Sequence, residues 1–531
     1  MPSSIVLGAV FGDALLAAAA LGTVGYAVAS FAINMLVSSI ITKAFAPSGP
    51  NTSDNQNNPN PGNRQQMPPA TDNKLPVVYG SAYVGGIVTD LTISDDNQTM
   101  YYCLALSEVT GTESGAPDAI TFGDIYWGGK KCVFDGTDTT KVVSLLDEST
   151  GESQTNVSGN LFIYTYSNGS YSPVNSTTNA VYVMSADGLT YKWDGNKLMS
   201  NCVFAIVKVI YNQDAGLTGL QQTKFQVINE RSAPGDCFAD YMTSERYGAA
   251  IPTSQIDYTS LTALNTYSSG SFTYTPAAGG TATQSRFRFD GTVDTQQTIM
   301  NCLQQMAASC DCLLRYNEVT ATWGIIVQSP AYSVAMAVND SNMVSAIQIT
   351  PTDLANTPNI IETKFANSNE KDSFASAVFS LQQLAPSLLY PNEPINKQSV
   401  SLPLVNNDVR AQYIATRLLK AGREDLIVKV QINYSGLQLE AGDIISLTST
   451  NYGWTDKLFR LSQIVQIVAD DGQVTASLTL IEYNASVYDD APITQFALAP
   501  NTGIPSPLAF GTVYAPTVVA QNKSAAAPYF T

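Results

Sequence analysis

Residues 14–42 read ALLAAAALGTVGYAVASFAINMLVSSIIT, 29 consecutive positions without a charged side chain. A helix of about 20 apolar residues spans a bilayer, and a helix apolar all round can equally be buried in protein. The chain must shelter this stretch in one of those two ways. A secretory signal has a basic start and a short apolar run before a small-residue cleavage site. Here Asp13 precedes the run, and the first basic residue, Lys43, follows it. Gly8, Gly12, Gly22 and Gly25, with Ala17 to Ala20, make a small-residue surface suited to close helix–helix contact. The reading preferred for residues 1–45 is a self-associating helix or helical hairpin, with a break near Gly22 to Gly25. Its association or membrane-insertion positions are Gly8, Gly12, Leu15, Leu16, Leu21, Gly22, Gly25, Phe31, Ile33 and Leu36. A plain membrane anchor stays open as the alternative.

The remaining chain is long and acidic. Its 531 residues exceed a single core and imply roughly three or four domains. The net charge of −18 repels nucleic-acid phosphate. That argues against a DNA-gripping protein but not against a conduit in which sticking would be a fault. Only 13% of residues are charged, and Asn, Gln, Ser and Thr fill the polar positions, which extensive protein–protein contact would account for. There is no histidine, so Ser–His–Asp and Cys–His catalysis and His-ligated zinc are excluded. Seven cysteines, Cys103, Cys132, Cys202, Cys237, Cys302, Cys310 and Cys312, lack framework spacing. They read as reduced, buried thiols from assembly in a cytosol. In the close pair, Cys310 is expected to end a helix and Cys312 to begin a strand. No metal or cofactor is expected, and acidic turns such as Asp95-Asp96 and Asp470-Asp471 read as solvated loops.

Residues 46–72 are rich in Asn, Pro, Gln and Ser and read as a flexible linker that cannot pack. From Lys74 onward the pattern turns to strands: 75–80, 83–93, 100–109, 118–134, 202–212 and 223–229, with Gly128-Gly129 as a hairpin turn. Residues 135–200 read as an insertion. Three helices are expected: Pro234 to Tyr247; one capped by Asp294 with Gln297 at its third position; and Asp408 to Ala421 with Gly422 as its stop. Their apolar faces read as core packing. Alternating runs at 426–436, 439–449, 457–470 and 473–484 predict a small β-barrel. The proline- and glycine-bearing end, 491–531, reads as an extended arm lying on a neighbour. The fold class is therefore mainly β with a few helices (α+β). The expected domains are 1–45, 46–72, 73–230, 231–345, 346–490 and 491–531.

Several stretches, in this serial order, resemble the tail-tip hub proteins of long-tailed bacteriophages, the family of lambda-type tip attachment proteins and gene transfer agent hubs. They are LPVVYGSAYVGGIVTD (75–90), SAPGDCFADYMTSERYGAAIPTSQID (232–257), RFRFDGTVDTQQTIMNCLQQMAASCDCLLRYNEVTATWGIIV (286–327), VNNDVRAQYIATRLLKAGR (405–423), GLQLEAGDIISL (436–447), GWTDKLFRLSQI (453–464) and LTLIEYNASVYDD (478–490). The positions matching the family pattern are Pro76, Tyr79, Gly80, Tyr247, Gly248, Pro252, Gly442, Asp443, Trp454 and Arg460. With its end near residue 531, the chain is expected to depart from the longest members in the long C-terminal fibronectin-like and fibre modules that carry receptor binding there, which leaves receptor binding outside the resemblance.

The resemblance implies a structural hub, not an enzyme. Two tube-like β-barrel domains per subunit would make a homotrimer that closes the distal end of the tail tube. Its implied partners are the tail tube or distal tail ring, the tape-measure protein, and tail fibres or other tip proteins, with DNA passing through without specific binding. Residues 1–45 would plug the lumen, contact the host membrane or cement the trimer. The location implied is the virion's distal tail tip, after assembly in the bacterial cytoplasm. Two rivals are weighed beside it. A membrane-anchored β-rich adhesin would use 14–42 as its anchor. A tip-associated wall hydrolase would need two carboxylates, drawn from acids such as Glu108, Glu113, Asp118 and Asp124.

Overall fold

The computed structural model describes residues 4–7, 66–69, 73–112, 115–168, 183–184, 189, 193, 199–317, 320–351, 357–424, 426–468, 472–490 and 493–495. The chain divides into two compact units, Met1–Gln495 and Phe496–Thr531. The second unit lies outside the described residues. So do residues 14–42 and the candidate positions Gly8, Gly12, Leu15, Leu16, Leu21, Gly22, Gly25, Phe31, Ile33 and Leu36. The described residues are mainly β, with a few helices.

Two six-stranded sheets share the first core. One runs Leu161–Tyr166, Cys202–Ile210, Thr99–Glu108, Val77–Tyr79, Gly291–Val293, with Ile87–Ile93 also paired to Thr99–Glu108. The other runs Ser81–Val84, Thr223–Asn229, Ile120–Trp127, Lys130–Phe134, Val142–Leu146, Ser153–Gln154. Thr223–Asn229 alternates buried and half-buried side chains along its length, as a strand with one face on a core must. Leu104, Leu106, Val203 and Val207 from the first sheet join Val84, Ile125, Trp127 and Phe225 from the second in one buried cluster.

Gly80 is where the chain crosses between these sheets. It follows Val77–Tyr79 in one and precedes Ser81–Val84 in the other, at φ 63°. A Cβ there would stand 2.1 Å from the Phe289 carbonyl oxygen, so the corner needs glycine both for its conformation and for its space. The Gly128-Gly129 hairpin forms as expected, with φ 55° and 84° and Trp127 opposite Lys130. Within 135–200, Val142–Leu146 and Ser153–Gln154 extend the second sheet, and Leu161–Tyr166 pairs with Cys202–Ile210.

A third six-stranded sheet runs Val334–Val338, Ile444–Ser449, Trp454–Val468, Val474–Glu482, Leu426–Asn433, Gln348–Pro351. The four strands expected at 426–484 are joined by two from 334–351. Its core includes Val428, Leu447, Phe459, Leu461 and Leu478. Among the described residues the hydrogen-bonded path of this sheet runs open between Val334–Val338 and Gln348–Pro351. Strands Ser373–Ser380, Ile360–Asn367 and Lys397–Leu402 make a smaller sheet.

Helix ends differ from the sequence expectation. The first helix is Pro234–Thr243 and stops before Tyr247. Ala249 N and Ile251 N return to the carbonyls of Tyr241 and Met242, and so close its C-terminal end with loop backbone. The second helix is Ile299–Ser309, capped by Thr298 rather than Asp294. The Thr298 hydroxyl accepts from Asn301 N at 3.3 Å, whereas Asp294 accepts from Gln296 N and Gln297 Nε2 in the preceding turn. Asp408–Ala421 forms where expected, capped by the Asn407 side chain. Gly422 sits at φ −64°, so its stop is not left-handed. A further helix, Tyr258–Ser269, has no counterpart in the sequence reading. Asp257 caps it, and it buries only Leu261, Leu264 and Ser268, too faint a stripe to register as a period.

Three segments of the apolar, linker and arm regions lie on the body. Ser4–Leu7 is a strand rather than part of a helix, antiparallel to Cys312–Asn317. In the stretch expected not to pack, Met67 bridges Ile87 and Gln66 Oε1 accepts from Thr223 N at 3.0 Å. Ile493–Thr494 pairs in parallel with Tyr274 and Thr275 of this same chain. All seven cysteines are buried and outside disulfides. Cys310 caps a helix and Cys312 opens a strand, as expected.

Candidate functional site

Burying an ion is costly unless it is paired and hydrogen-bonded. This sparsely charged chain nevertheless buries several, where helices meet sheets. These polar knots are densely built polar sites among the described residues.

The first knot is centred on an acid. Asp240, on the helix Pro234–Thr243, is 6% exposed. Tyr79 and Tyr247 donate their hydroxyls to its Oδ2 at 2.7 and 2.8 Å, and Gly111 N donates to Oδ1 at 2.8 Å. Arg231 Nε stands 4.0 Å from Oδ1 and grips Asp118 with two nitrogens at 2.5 and 2.9 Å. Thr110 Oγ1 donates to Asp118, and Asn229 Nδ2 donates to both Thr110 Oγ1 and the Val78 carbonyl. Burial first, then the Asp240 charge, pushes the Tyr79 and Tyr247 phenols well up. Both stay protonated and keep donating. Burial works against the Arg231 charge, but the Asp118 hydrogen bond together with the Asp240 and Asp118 charges outweighs it, and the guanidinium stays ionised.

The second knot is centred on a base. Arg417, on the helix Asp408–Ala421, is 3% exposed. Its Nε lies 2.6 Å from Asp311 Oδ2. Neither atom has an aligned hydrogen bond, so the contact is an ion pair. Its Nη1 donates to the hydroxyls of Tyr267 and Tyr413 at 2.9 and 3.3 Å, and its Nη2 to the Gln328 carbonyl. The guanidinium carbon lies 4.9 Å from the centre of the Tyr488 ring, 5.5 Å from Tyr413, 5.6 Å from Phe287 and 5.8 Å from Tyr267. Cation–π attraction strengthens once such a cation leaves water. Gln328 ties in a second arginine: its Oε1 accepts from Arg460 Nη1 at 3.1 Å and from the Tyr488 hydroxyl at 2.7 Å, and its Nε2 donates to Asp311. Tyr413 also donates to Asp490, which Arg286 holds from the other side.

A carboxylate joins the regions between these knots. Asp290 accepts from Ser81 N at 3.1 Å and pairs with Arg410 of the helix Asp408–Ala421 at 3.4 Å.

The positions that match the family pattern fall into two groups. Tyr79 and Tyr247, far apart in sequence, meet on one carboxylate. Beside them Gly80 makes the corner, the Pro76 carbonyl accepts from Glu108 N, and Gly248 passes so close that a Cβ would lie 1.9 Å from the Tyr241 carbonyl oxygen. Pro252 precedes the short helical turn Thr253–Gln255 and lies outside the knot. In the other group, Arg460 reaches the Arg417 knot. Gly442, at φ 99°, bonds through its N–H to the Leu461 carbonyl, and Asp443 Oδ2 accepts from Glu440 N. Burial raises the Asp443 carboxyl. Trp454 packs between Tyr452 and Phe459, with ring centres 5.0 and 5.6 Å away.

The sequence reading missed the ions at the centres: Asp240, Arg231, Asp311, Arg410 and Arg417. One signal was present. Arg410 and Arg417 fall at i and i+7 around Ile414 at i+4, on the stripe that packs inward. The acids considered for hydrolysis are dispersed. Asp118 is clamped by Arg231, Asp124 pairs with Lys131 at 2.7 Å, Glu108 pairs with Arg246, and Glu113 lies outside the described residues. Asp96 closes a turn by accepting from Ser94 and Gln98, and Asp470 and Asp471 lie outside the described residues. Among the described residues no group of three ligating side chains could hold a metal, and no helix is long and apolar enough to cross a membrane.

Comparison with known proteins places this architecture. Residues 326–464 match the family model described as "Putative phage tail protein". A chain from the virion of a native gene transfer agent particle superimposes with a TM-score of 0.53 at 12% identity, over 91% of this chain and 99% of that one. A tail protein from Neisseria meningitidis MC58 aligns at a TM-score of 0.33 and 11% identity, over 78% of this chain and 100% of that one. A 43 kDa tail protein of prophage MuSo2 from Shewanella oneidensis aligns at 0.28 and 10%, over 77% and 96%. The last two scores are too low to extend the argument. No curated protein matches the chain. Residues 326–464 are thus similar to that family, and the chain shares its fold with a gene transfer agent virion component. The family match and the gene transfer agent fold together support a structural protein of a phage tail or baseplate.

Proposed function

We propose that the chain is the hub of a phage tail tip, closing the distal end of the tail tube as a homotrimer and opening for DNA ejection. The observation that carries this reading is the fold shared along 91% of the chain with a gene transfer agent virion component. Two β-rich regions per chain, the paired sheets from Val77 to Asn229 and the sheet from Val334 to Glu482, support it further. Three chains would then present six modules to a six-fold tube. The buried knots fix how each helix sits on its sheet, so that each subunit reaches the ring already in shape. The partners are the tube or distal ring, the tape-measure protein, and fibres or other tip proteins. The acidic body gives DNA a passage that does not bind it.

The role is structural and involves no covalent chemistry. Assembly takes place in the host cytoplasm, where buried thiols stay reduced. Residues 1–45 plug the lumen, enter the host envelope or cement the trimer. Native mass measurement of the purified chain, followed by co-sedimentation with tube rings, tests the proposal. A trimer that pellets with rings is expected. A lone chain that partitions into bilayers would overturn the hub reading in favour of the adhesin. Clearing of a murein suspension would favour the hydrolase.

A further inference from the structure

Lys208 lies on the strand Cys202–Ile210, in the first of the paired sheets. Its neighbours Val207 and Val209 enter the core that the two sheets share. Lys208 therefore faces the opposite side of the sheet, the side of Phe204 and Ile206. Residues directly opposite each other on adjacent strands share a face. Phe162 and Tyr101 stand opposite Lys208 on its two flanks, and Thr92 stands opposite Tyr101 one strand further on. The row Phe162, Lys208, Tyr101, Thr92 thus sets one ammonium between two rings. Nζ is 5.1 Å from the centre of the Phe162 ring and 5.6 Å from that of Tyr101.

What this ammonium lacks is an acid. The chain has 44 acidic against 26 basic residues, and other lysines find a carboxylate: Lys131 on Asp124, Lys371 on Glu148, Lys397 on Glu362 and Lys457 on Glu482. Lys208 is half-buried and, among the described residues, makes no ion pair and no hydrogen bond. Two phenols on its face, Tyr101 and Tyr164, are pushed up by burial and stay neutral, so they supply no counter-charge. Burial accordingly holds the Lys208 ammonium below the ordinary lysine value. A desolvated amine without a counter-ion favours its neutral form, which is the nucleophile.

We propose that Lys208 is an acyl-acceptor site, at which an acyl phosphate transfers its acyl group to Nζ. The unprotonated amine attacks the carbonyl carbon, and a C–N bond forms. The bond from that carbon to the phosphate oxygen breaks, phosphate leaves with the bonding pair, and the surplus amine proton passes to water. The product is a neutral amide. The uncompensated charge is gone, and the aliphatic stem keeps its place between the rings. The same reaction at Lys131, Lys371, Lys397 or Lys457 would instead strip an ion pair from its carboxylate. The proposal goes beyond the hub reading and does not depend on it.

Labelling of the full-length chain tests it. The chain is treated with limiting acetyl phosphate, folded and in urea, and acetylation of each lysine is followed in time by peptide mass spectrometry. In the folded chain Lys208 is expected to react about threefold or more faster than the four ion-paired lysines. In urea the rates should converge. A folded-state rate at or below theirs would overturn the proposal. A lead that survives urea would also overturn it, because local sequence rather than the sheet would then set the rate. Lys208→Gln, which carries an amide in the same row, is expected to raise the urea midpoint. Lys208→Arg, which keeps the charge, is expected not to. A lower midpoint for the glutamine variant than for the unmodified chain would overturn the claim that the row favours a neutral amide. If that variant fails to fold, the labelling decides alone. None of these outcomes bears on trimer formation or ring binding.

Discussion

The two buried knots hold helices on sheets with ions of opposite sign. At Asp240 the ion is an acid, and three separate donors share it: two phenols and one backbone N–H. At Arg417 the ion is a base, and its partners act as a set: one carboxylate, one carbonyl, two hydroxyls and four ring faces. An acid served by three donors can lose one and keep the rest. A base enclosed by rings cannot be removed without leaving the buried Asp311 charge with only the Gln328 amide as a donor. The first region should therefore degrade in steps and the second abruptly.

The largest effect expected is from Arg417→Ala, which strands Asp311 and empties the space among Tyr267, Phe287, Tyr413 and Tyr488. A cost of about 3–5 kcal/mol follows for breaking a buried pair, read by urea unfolding. Arg417→Lys should recover only part of it, because an ammonium cannot reach the same set of partners. A loss under about 1 kcal/mol would break the contrast. Next comes Gly80→Ala, which meets both a positive φ and the Phe289 carbonyl; about 1–3 kcal/mol is expected, measured the same way. A smaller effect, about 1 kcal/mol each, is expected for Tyr79→Phe and for Tyr247→Phe. Because both hydroxyls serve one oxygen, the double variant should deviate from additivity by roughly 0.5 kcal/mol or more. Strict additivity would mean that the carboxylate does not couple them.

Acid should sharpen the contrast further. The Asp490 carboxyl is held below its ordinary value: burial alone would raise it, but the hydrogen bonds from Arg286 and Tyr413 outweigh burial. Glu393 behaves likewise through Arg423. A depressed carboxylate stabilises fully above its ordinary pKa, near 4, and that stability is lost as pH falls through the depressed value. Hydrogen exchange below about pH 4 should therefore loosen the helix Asp408–Ala421 and its neighbours. The smallest effect is the control: Tyr434, 72% exposed, should change stability by no more than about 0.5 kcal/mol when replaced by Ala.

Strands were legible in the sequence because alternation reports directly which face meets a core, as in Thr223–Asn229. Gly80 was legible through its motif, although its reason, a corner with no room for a Cβ, appears only in three dimensions. Helix ends were less legible. Asp294 and Thr298 both suit a cap, and a single hydrogen bond to Asn301 N selects Thr298. The knots were least legible, because Asp240 takes its partners from Tyr79, Gly111 and Tyr247, and nothing local marks them as neighbours. Strands Val334–Val338 and Gln348–Pro351 escaped notice for the same reason: they complete a sheet whose other members lie some distance down the chain.

Averaged images of tail tips from a particle carrying this chain test the hub reading most directly. Three copies around the axis at the distal end of the tube are predicted. Copies distributed along the tube, or a tip holding one or six of them, would contradict it.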